Sequence, residues 1–401
     1  MDGQSGLSVK KLLELLPDTL LDRFAEEHRV NRQVKKLSGQ LMFKLLLYMV
    51  VCSRRGSLNT LMAFFDNVRF RLFAGLSPGF ETRRNSVADR LGHIEATYFE
   101  AVLAHTSALC EQQGSFEAYR GYKVHRFDST MVHLSARLLS LGMVVGRKGK
   151  DGEHHVKHVK FSIGFDGLAV KEAQVQHEQT FVADDVALAD VIRRSAVSAD
   201  SVAVFDRGLK KRQAFADFSR EGRLFVTRCN PTKTFILVEE LSQSVGKVSQ
   251  TLEIVAERVI RFANGVSQKK AMPCFRLIVA QKLDSGEQLF FLTNIFDLDA
   301  LEITEIYKKR WDIEVFFRFL KQELNFTHLV SRTLNGIKVM ACVTLIAAML
   351  ILLYRKTNQL KGYKIPKLRF ENELETELIK ELIILCNGDP NRLGSIIQLR
   401  E

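Results

Sequence analysis

Four residues near position 310 carry the chemistry most easily read from this chain. In the stretch YKKRWDIEVFFRFLKQE, Tyr307, Arg310, Glu314 and Lys321 stand at offsets 0, 3, 7 and 14. At about 100° per residue of a single α-helix, those offsets fall within roughly 60° of arc. One carboxylate would then sit in a stripe of phosphate-seeking groups. Arg310 is a bidentate donor, Lys321 a mobile point charge, and Tyr307 a hydrogen-bonding or base-stacking group. Ile306, Ile313, Phe317, Leu320 and Leu324 form a neighbouring apolar stripe that can pack the helix onto a core. Trp311, the only tryptophan, lies off that stripe; it is expected either to anchor the helix against another domain, the favoured reading, or to stack on DNA.

Two more acids stand out by position. Asp128 ends the predicted strand KVHRFDST, and Asp206 ends SVAVFDRGL. A mixed α/β fold can bring two strand ends and a helix face together. Close carboxylates repel and are best held by divalent cations, and oxygen ligands favour Mg²⁺ or Mn²⁺. Two such ions about 3.5–4 Å apart would activate a water or a 3′-hydroxyl and stabilise the leaving oxygen in phosphodiester transfer. Each acid also has an ordinary explanation. Asp128 before Ser129-Thr130 and Asp206 before Arg207-Gly208 can be turn or helix caps. Glu314 can pair with Arg310 or Arg318 at i,i+4, for a few tenths of a kcal/mol.

The whole-chain balance points the same way. Its 401 residues suggest two or three domains, and 58 Lys and Arg against 46 Asp and Glu give +12 and a pI near 9.4. Clustering of that excess around the acids favours nucleic acid as the partner. The six cysteines have no metal-like or disulfide-like spacing, and no secretory leader is recognised before residue 30; both suit a reducing cytoplasm. Val339 to Tyr354 is an apolar run just short of the roughly 17–25 residues that cross a bilayer, so it is expected to be a buried core helix, with no membrane partner. No Walker loop, Rossmann fingerprint, Ser-His-Asp order or zinc-finger framework is present.

The elements that must position these groups follow from periodicity. Residues 7–112 repeat apolar positions at helical spacing, with Ser57 or Asn59 as a cap and Arg83-Arg84-Asn85 opening a basic helix. This region could bind DNA, dimerise or simply pack. After Tyr122 the pattern is β, with a hairpin turning at Asp166-Gly167 and a crossover helix from Asp184 to Arg193. LFVTRCN, TFILVEE, ERVIRFANG, CFRLIVAQK and QLFFLTNIF continue it to Phe296, and Leu301 opens the helix of the four residues. An acidic amphipathic helix around Glu371–Leu385 follows. His154, His155 and His158 lie beside the basic loop Arg147–Lys150, and three readings stay open: DNA-backbone contact, solvated loop, or a metal pair if helical.

The quartet Tyr307, Arg310, Glu314, Lys321 strongly resembles the Y-(2)-R-(3)-E-(6)-K signature of bacterial insertion-sequence transposases of the DDE class, with no spacing error. FDST resembles that family's first-acid motif and FDRG its second, so the resemblance covers roughly residues 120–355. It implies an α/β fold in which an RNase H-like catalytic core is interrupted by a β-rich insertion and preceded by an N-terminal helical domain. The corresponding parts are 1–118 (helical, DNA-binding or dimerisation), 119–223 (core, first part), 224–298 (insertion), 299–358 (core, second part) and 359–401 (helical tail). It makes Asp128, Asp206 and Glu314 the catalytic ligands of two Mg²⁺ ions, with Mn²⁺ a substitute. Tyr307, Arg310, Lys321, Arg207, Arg147, Lys148 and Lys150 are the expected DNA contacts. The implied partners are double-stranded DNA with terminal inverted repeats, target DNA, and a second copy of the chain when ends are paired. The implied activity is cut-and-paste cleavage and strand transfer; the alternative is a catalytically silent DNA-binding regulator. Some relatives form end hairpins with a tryptophan in the insertion. This chain has none there, and Phe225 or Phe235 would have to substitute.

Overall fold

Helical and strand periods separate along the chain, and each builds its own compact unit in the computed structural model. Residues 1–5, 54, 114–117, 135–140, 146–156, 197, 231–233, 264–271 and 394–401 lie outside the described structure. One unit gathers described residues within 1–115, 134–141 and 318–401; the other gathers those within 116–133 and 142–317. An N-terminal helical region is thus followed by a mixed β-sheet and further helices.

The helical region comprises α1 (Val9–Leu13), α2 (Asp18–Glu27), α3 (Gly39–Cys52), α4 (Leu58–Phe65), α5 (Val68–Ala74), α6 (Arg84–His93) and α7 (Ala96–Gln113). Of the two candidate caps for α4, Ser57 serves, accepting from the Thr60 N–H. Asn59 instead accepts a bond from Arg84 Nε at 2.9 Å.

The sheet begins with β1 (Lys123–His133), β2 (Met143–Val144), β3 (Lys157–Phe165) and β4 (Val170–Gln176). Asp166 makes the β3–β4 turn as expected: its carboxylate accepts the N–H groups of Leu168 and Ala169, and Gly167 takes φ 109°, where a Cβ is strained. The chain then crosses through α8 (Asp184–Arg194), whose first turn is acidic and last turn basic, in accord with its dipole. β5 (Ser201–Phe205), α9 (Arg212–Arg220) and β6 (Leu224–Arg228) follow, then β7 (Phe235–Leu241), β8 (Leu252–Phe262), β9 (Cys274–Lys282) and β10 (Gln288–Thr293). All ten strands form one sheet in the order β2-β3-β1-β5-β6-β10-β9-β8-β7, with β4 beside β3. β1, β5 and β6 run parallel to one another and the remaining pairs are antiparallel. β6, which the sequence places at the start of the insertion, is therefore hydrogen-bonded directly to β5.

Strand alternation decides what each face holds. Phe127, Ala203, Phe205 and Phe225 pack with residues of α8 and α9 on one face. Val124, Val202, Val204 and Val226 lie on the other, beneath Ile303 and Ile306 of α10 (Ala300–Lys308). Asp299 and Glu302 form a capping box at the start of α10. At the start of α11 (Trp311–Glu323), Phe316 stacks on Phe165 of β3 with centroids 4.1 Å apart.

Of the remaining helices, α12 (Leu334–Thr357) is the core of the helical unit, packed by α7, α3 and α6, and α13 (Lys364–Leu385) lies beside it. α12 is long and apolar enough to cross a membrane, but nearly all of it is buried among its neighbours. Tyr354 donates to Glu373 at 2.7 Å, which ties α13 to it.

Candidate active site

Register alone sets two of the acids side by side. Arg126 on β1 pairs with Val204 on β5, and Phe205 pairs with Thr227 on β6. Asp128 lies two residues past Arg126 and Asp206 two past Val204, so both stand at the same level of adjacent parallel strands. Strand spacing there is about 4.8 Å. Both belong to the even-numbered series that faces α10. β1 does not end at Asp128, as the sequence suggests, but runs on to His133 against β3 alone. The parallel pairing is what ends there, which leaves one side of the strand open at the acid. Arg228 stands at the same level on β6, one residue past Thr227. Sequence reading missed it, although LFVTR repeats the position of the charged group in SVAVFD.

Glu314 reaches the site by a less direct route than a single helix. α10 and α11 are separate, and the chain between them tightens. Arg310 N–H donates to Tyr307 at 2.9 Å, and Asp312 and Ile313 N–H donate to Lys309 and Arg310, each three residues back, at 3.2 Å. The 60° arc, computed for one continuous helix, is therefore corrected: a turn of about three residues eclipses Tyr307 and Arg310, and α11 then carries Glu314. Arg310 is the hub, its guanidinium lying 5.8 Å from the Tyr307 ring, 2.6 Å from Glu314 and 4.0 Å from Asp128. Tyr307 itself is set edge-on against Phe291 of β10 at 5.3 Å.

The electrostatics record this crowding. Burial pushes the Asp128 carboxyl up to about 7; Asp206 and Glu314 add to the rise, while the Ser129 N–H and Arg310 oppose it. Burial works against the Arg310 charge as well, but Glu314, Tyr307 and Asp128 hold it above its usual value. Asp206 accepts the Gly208 N–H at 2.8 Å. A Cβ at position 208 would lie 2.8 Å from that same oxygen and 2.9 Å from an Asp184 carboxylate oxygen, so a larger residue there would push both carboxylates aside.

An acid whose folded value lies above its usual 3.8 holds its proton more tightly in the folded chain. Its cost is absent near pH 4 and grows until about pH 7. Asp128→Asn should therefore raise Tm in EDTA by an amount that is negligible at pH 4 and corresponds to on the order of 2–4 kcal/mol at pH 7.5. Paired thermal melts across that range test this; a pH-independent difference would refute it.

The other expected contacts are distributed differently. Arg207 is exposed beside Asp206, and Lys321 is half-buried further along α11. Arg147, Lys148, Lys150, His154 and His155 lie outside the described residues. His158 is in β3, not a helix, its ring 4.3 Å from that of His133, so the helical metal-pair reading does not hold. Trp311 is 54% exposed. Phe225 is fully buried in the core and cannot hold an unstacked base, whereas Phe235 is half-buried.

Among the described residues, no three His, Cys, Asp or Glu side chains form a group able to hold a metal ion as they stand. Glu314 is turned to Arg310, and one oxygen each of Asp128 and Asp206 caps a backbone N–H. The donor chemistry nevertheless suits a hard divalent cation. The set is all oxygen, and Asp206 and Glu314 both raise Asp128, a repulsion that added positive charge would relieve.

The family described as "Transposase DDE domain" matches residues 120–350, more than half of the chain, and the chain belongs to that family. It is 25% identical over 208 residues to "Putative transposase y4zB" of Sinorhizobium fredii (strain NBRC 101917 / NGR234), covering 52% of this chain and 54% of that one. It is 25% identical over 253 residues to "Putative transposase for insertion sequence element IS4SA" of Synechocystis sp. (strain ATCC 27184 / PCC 6803 / Kazusa), covering 62% and 65%. A third relative, "Probable transposase for insertion sequence element IS5377" of Geobacillus stearothermophilus, is 29% identical over 140 residues, covering 35% and 36%. The matches thus span about half to two thirds of the first two relatives' lengths.

Proposed function

We propose that this chain is a DDE transposase that cleaves DNA at the ends of an insertion sequence and joins those ends to a target by a cut-and-paste route. The observation that carries the reading is the register match of Asp128 and Asp206 on adjacent parallel strands, on the face to which α11 brings Glu314. The sheet segment β1–β6 with α8 and α9 then corresponds to the first part of an RNase H-like core. β7–β10 correspond to the insertion, and α10–α12 to the core's second part. The helical residues 1–118 bind DNA or pair two copies, and 359–401 form a tail.

Asp128, Asp206 and Glu314 would hold two Mg²⁺ or Mn²⁺ ions. When bound, such ions supply an activated water or 3′-hydroxyl and charge stabilisation of the leaving oxygen. The protein's own groups do the positioning. Asp128 and Asp206 are fixed by their strands and by the N–H groups they accept. Arg310 supplies positive charge beside Asp128 and Glu314 and Arg228 beside Asp206, and Tyr307, Arg310, Lys321 and Arg207 orient the phosphate backbone. The double-stranded substrate carries the element's terminal inverted repeats, and two chains act together on paired ends.

The test begins with the DNA that flanks the gene. A duplex copied from those flanks should be cut by the full chain in Mg²⁺ at one fixed position near the inverted repeat, and not in EDTA. Absence of cleavage in both Mg²⁺ and Mn²⁺, with the duplex still bound, would leave the DNA-binding regulator as the better reading.

A further inference from the structure

Arg126 is a buried arginine that neither the acid motifs nor the signature includes. It lies two residues before Asp128 on β1 and on the same face, and its side chain is only 7% exposed. Its guanidinium holds three separate segments. It donates to the Val124 carbonyl of its own strand at 2.8 Å and to the Asp166 carbonyl in the β3–β4 turn. From there it reaches the tightened turn between α10 and α11, donating to the Lys309 carbonyl at 3.2 Å and to the Asp312 carboxylate at 2.9 Å.

Lys309 and Asp312 flank Arg310, and Glu314 follows two residues later. Whatever fixes the carbonyl of Lys309 and the carboxylate of Asp312 therefore fixes where Arg310 and Glu314 point. No proline or glycine marks this turn; its direction is set from β1. A guanidinium is suited to the task because its five N–H donors lie in one rigid plane, whereas an ammonium offers a point charge on a flexible stem.

We propose that Arg126 is a positioning residue: it clamps the turn between α10 and α11 and so sets Glu314 and Arg310 against Asp128. This rests on the reading of Asp128, Asp206 and Glu314 as the catalytic acids. Arg126 touches neither substrate nor metal in this role. Its loss should therefore slow the chemical step without weakening DNA binding, since misplacement by about 1 Å can cost about 10²-fold in rate. Trp311, the sole tryptophan, lies within the clamped segment and reports on it directly.

The experiment compares the full chain with Arg126→Lys and Asp312→Asn. Single-turnover cleavage of the flank duplex in Mg²⁺, the Kd for that duplex, and the time-resolved fluorescence anisotropy of Trp311 are measured for each. Arg126→Lys should lower the cleavage rate constant about 10²-fold, leave Kd unchanged, and increase the fast local motion of Trp311. Asp312→Asn should change rate and anisotropy in the same directions by less. Wild-type rates and anisotropy in Arg126→Lys would overturn the proposal, as would a fall in Kd affinity that accounts for the whole loss of cleavage. If Arg126→Lys fails to fold, Asp312→Asn decides, because its carboxylate is half-exposed; an unchanged rate and unchanged Trp311 motion there overturn the clamp. If the wild-type chain does not cleave, the transposase reading fails separately. Trp311 motion in Arg126→Lys then still decides whether the clamp exists.

Discussion

Asp128→Asn, Asp206→Asn and Glu314→Gln each lower Mg²⁺-dependent cleavage of end-bearing DNA by about 10³-fold or more. Each replacement keeps the shape of the side chain and removes one negative oxygen donor. The backbone caps at Ser129 and Gly208 can be made by an amide oxygen as well, so the strand ends should keep their form. DNA binding should survive or strengthen slightly, because a negative charge beside the phosphate backbone has gone. Glu314→Gln also loosens the hold on Arg310, whose guanidinium lies 2.6 Å from the carboxylate. Quantitative cleavage and gel-shift titration on the same duplex separate the two quantities. Undiminished cleavage in all three variants would remove these acids from the active site.

The second large effect concerns stability. Arg276 and Glu257, on adjacent strands β9 and β8, are each almost fully buried and paired, with Nε donating at 2.6 Å. Arg276 also donates to the carbonyls of Ile295 and Leu298 in the loop that enters α10. It fixes the entry of α10 as Arg126 fixes its exit. Arg276→Ala leaves a buried carboxylate without its partner, a loss of about 3–5 kcal/mol. For a unit of this size, calorimetry should show the sheet transition falling by on the order of 10 °C. Joint replacement by Glu257→Leu and Arg276→Met should recover most of that fall, because the desolvation cost of the pair goes with the pair. A shift of less than about 2 °C in Arg276→Ala would mean that Glu257 finds another partner.

Local pattern carried much of the fold into view. Strand pattern located β1, β3–β7, β9 and β10 to within a few residues but missed the first five residues of β8, Asp166-Gly167 marked its hairpin, and the apolar stripe Ile306, Ile313, Phe317, Leu320 and Leu324 is buried throughout. Strand pairing was not legible, because periodicity says which face a side chain takes but not which strand lies beside it. The adjacency of Asp128 and Asp206, and the level of Arg228 with them, exist only through the β1–β5–β6 register. The break between α10 and α11 was hidden for a related reason. KKRWD contains no residue that ends a helix, and Arg126, which holds the turn, lies 183 residues before Lys309.

Asp128, Asp206 and Glu314 are proposed to serve one divalent-cation site. Titration of the full chain with Mn²⁺, with free ion followed by electron paramagnetic resonance, tests it without depending on any DNA sequence. Wild-type protein should take up Mn²⁺ saturably. Asp128→Asn, Asp206→Asn and Glu314→Gln should each weaken that uptake by at least the 10–100-fold, roughly, that loss of an outer-shell partner costs. Equal uptake by wild type and all three variants would contradict it.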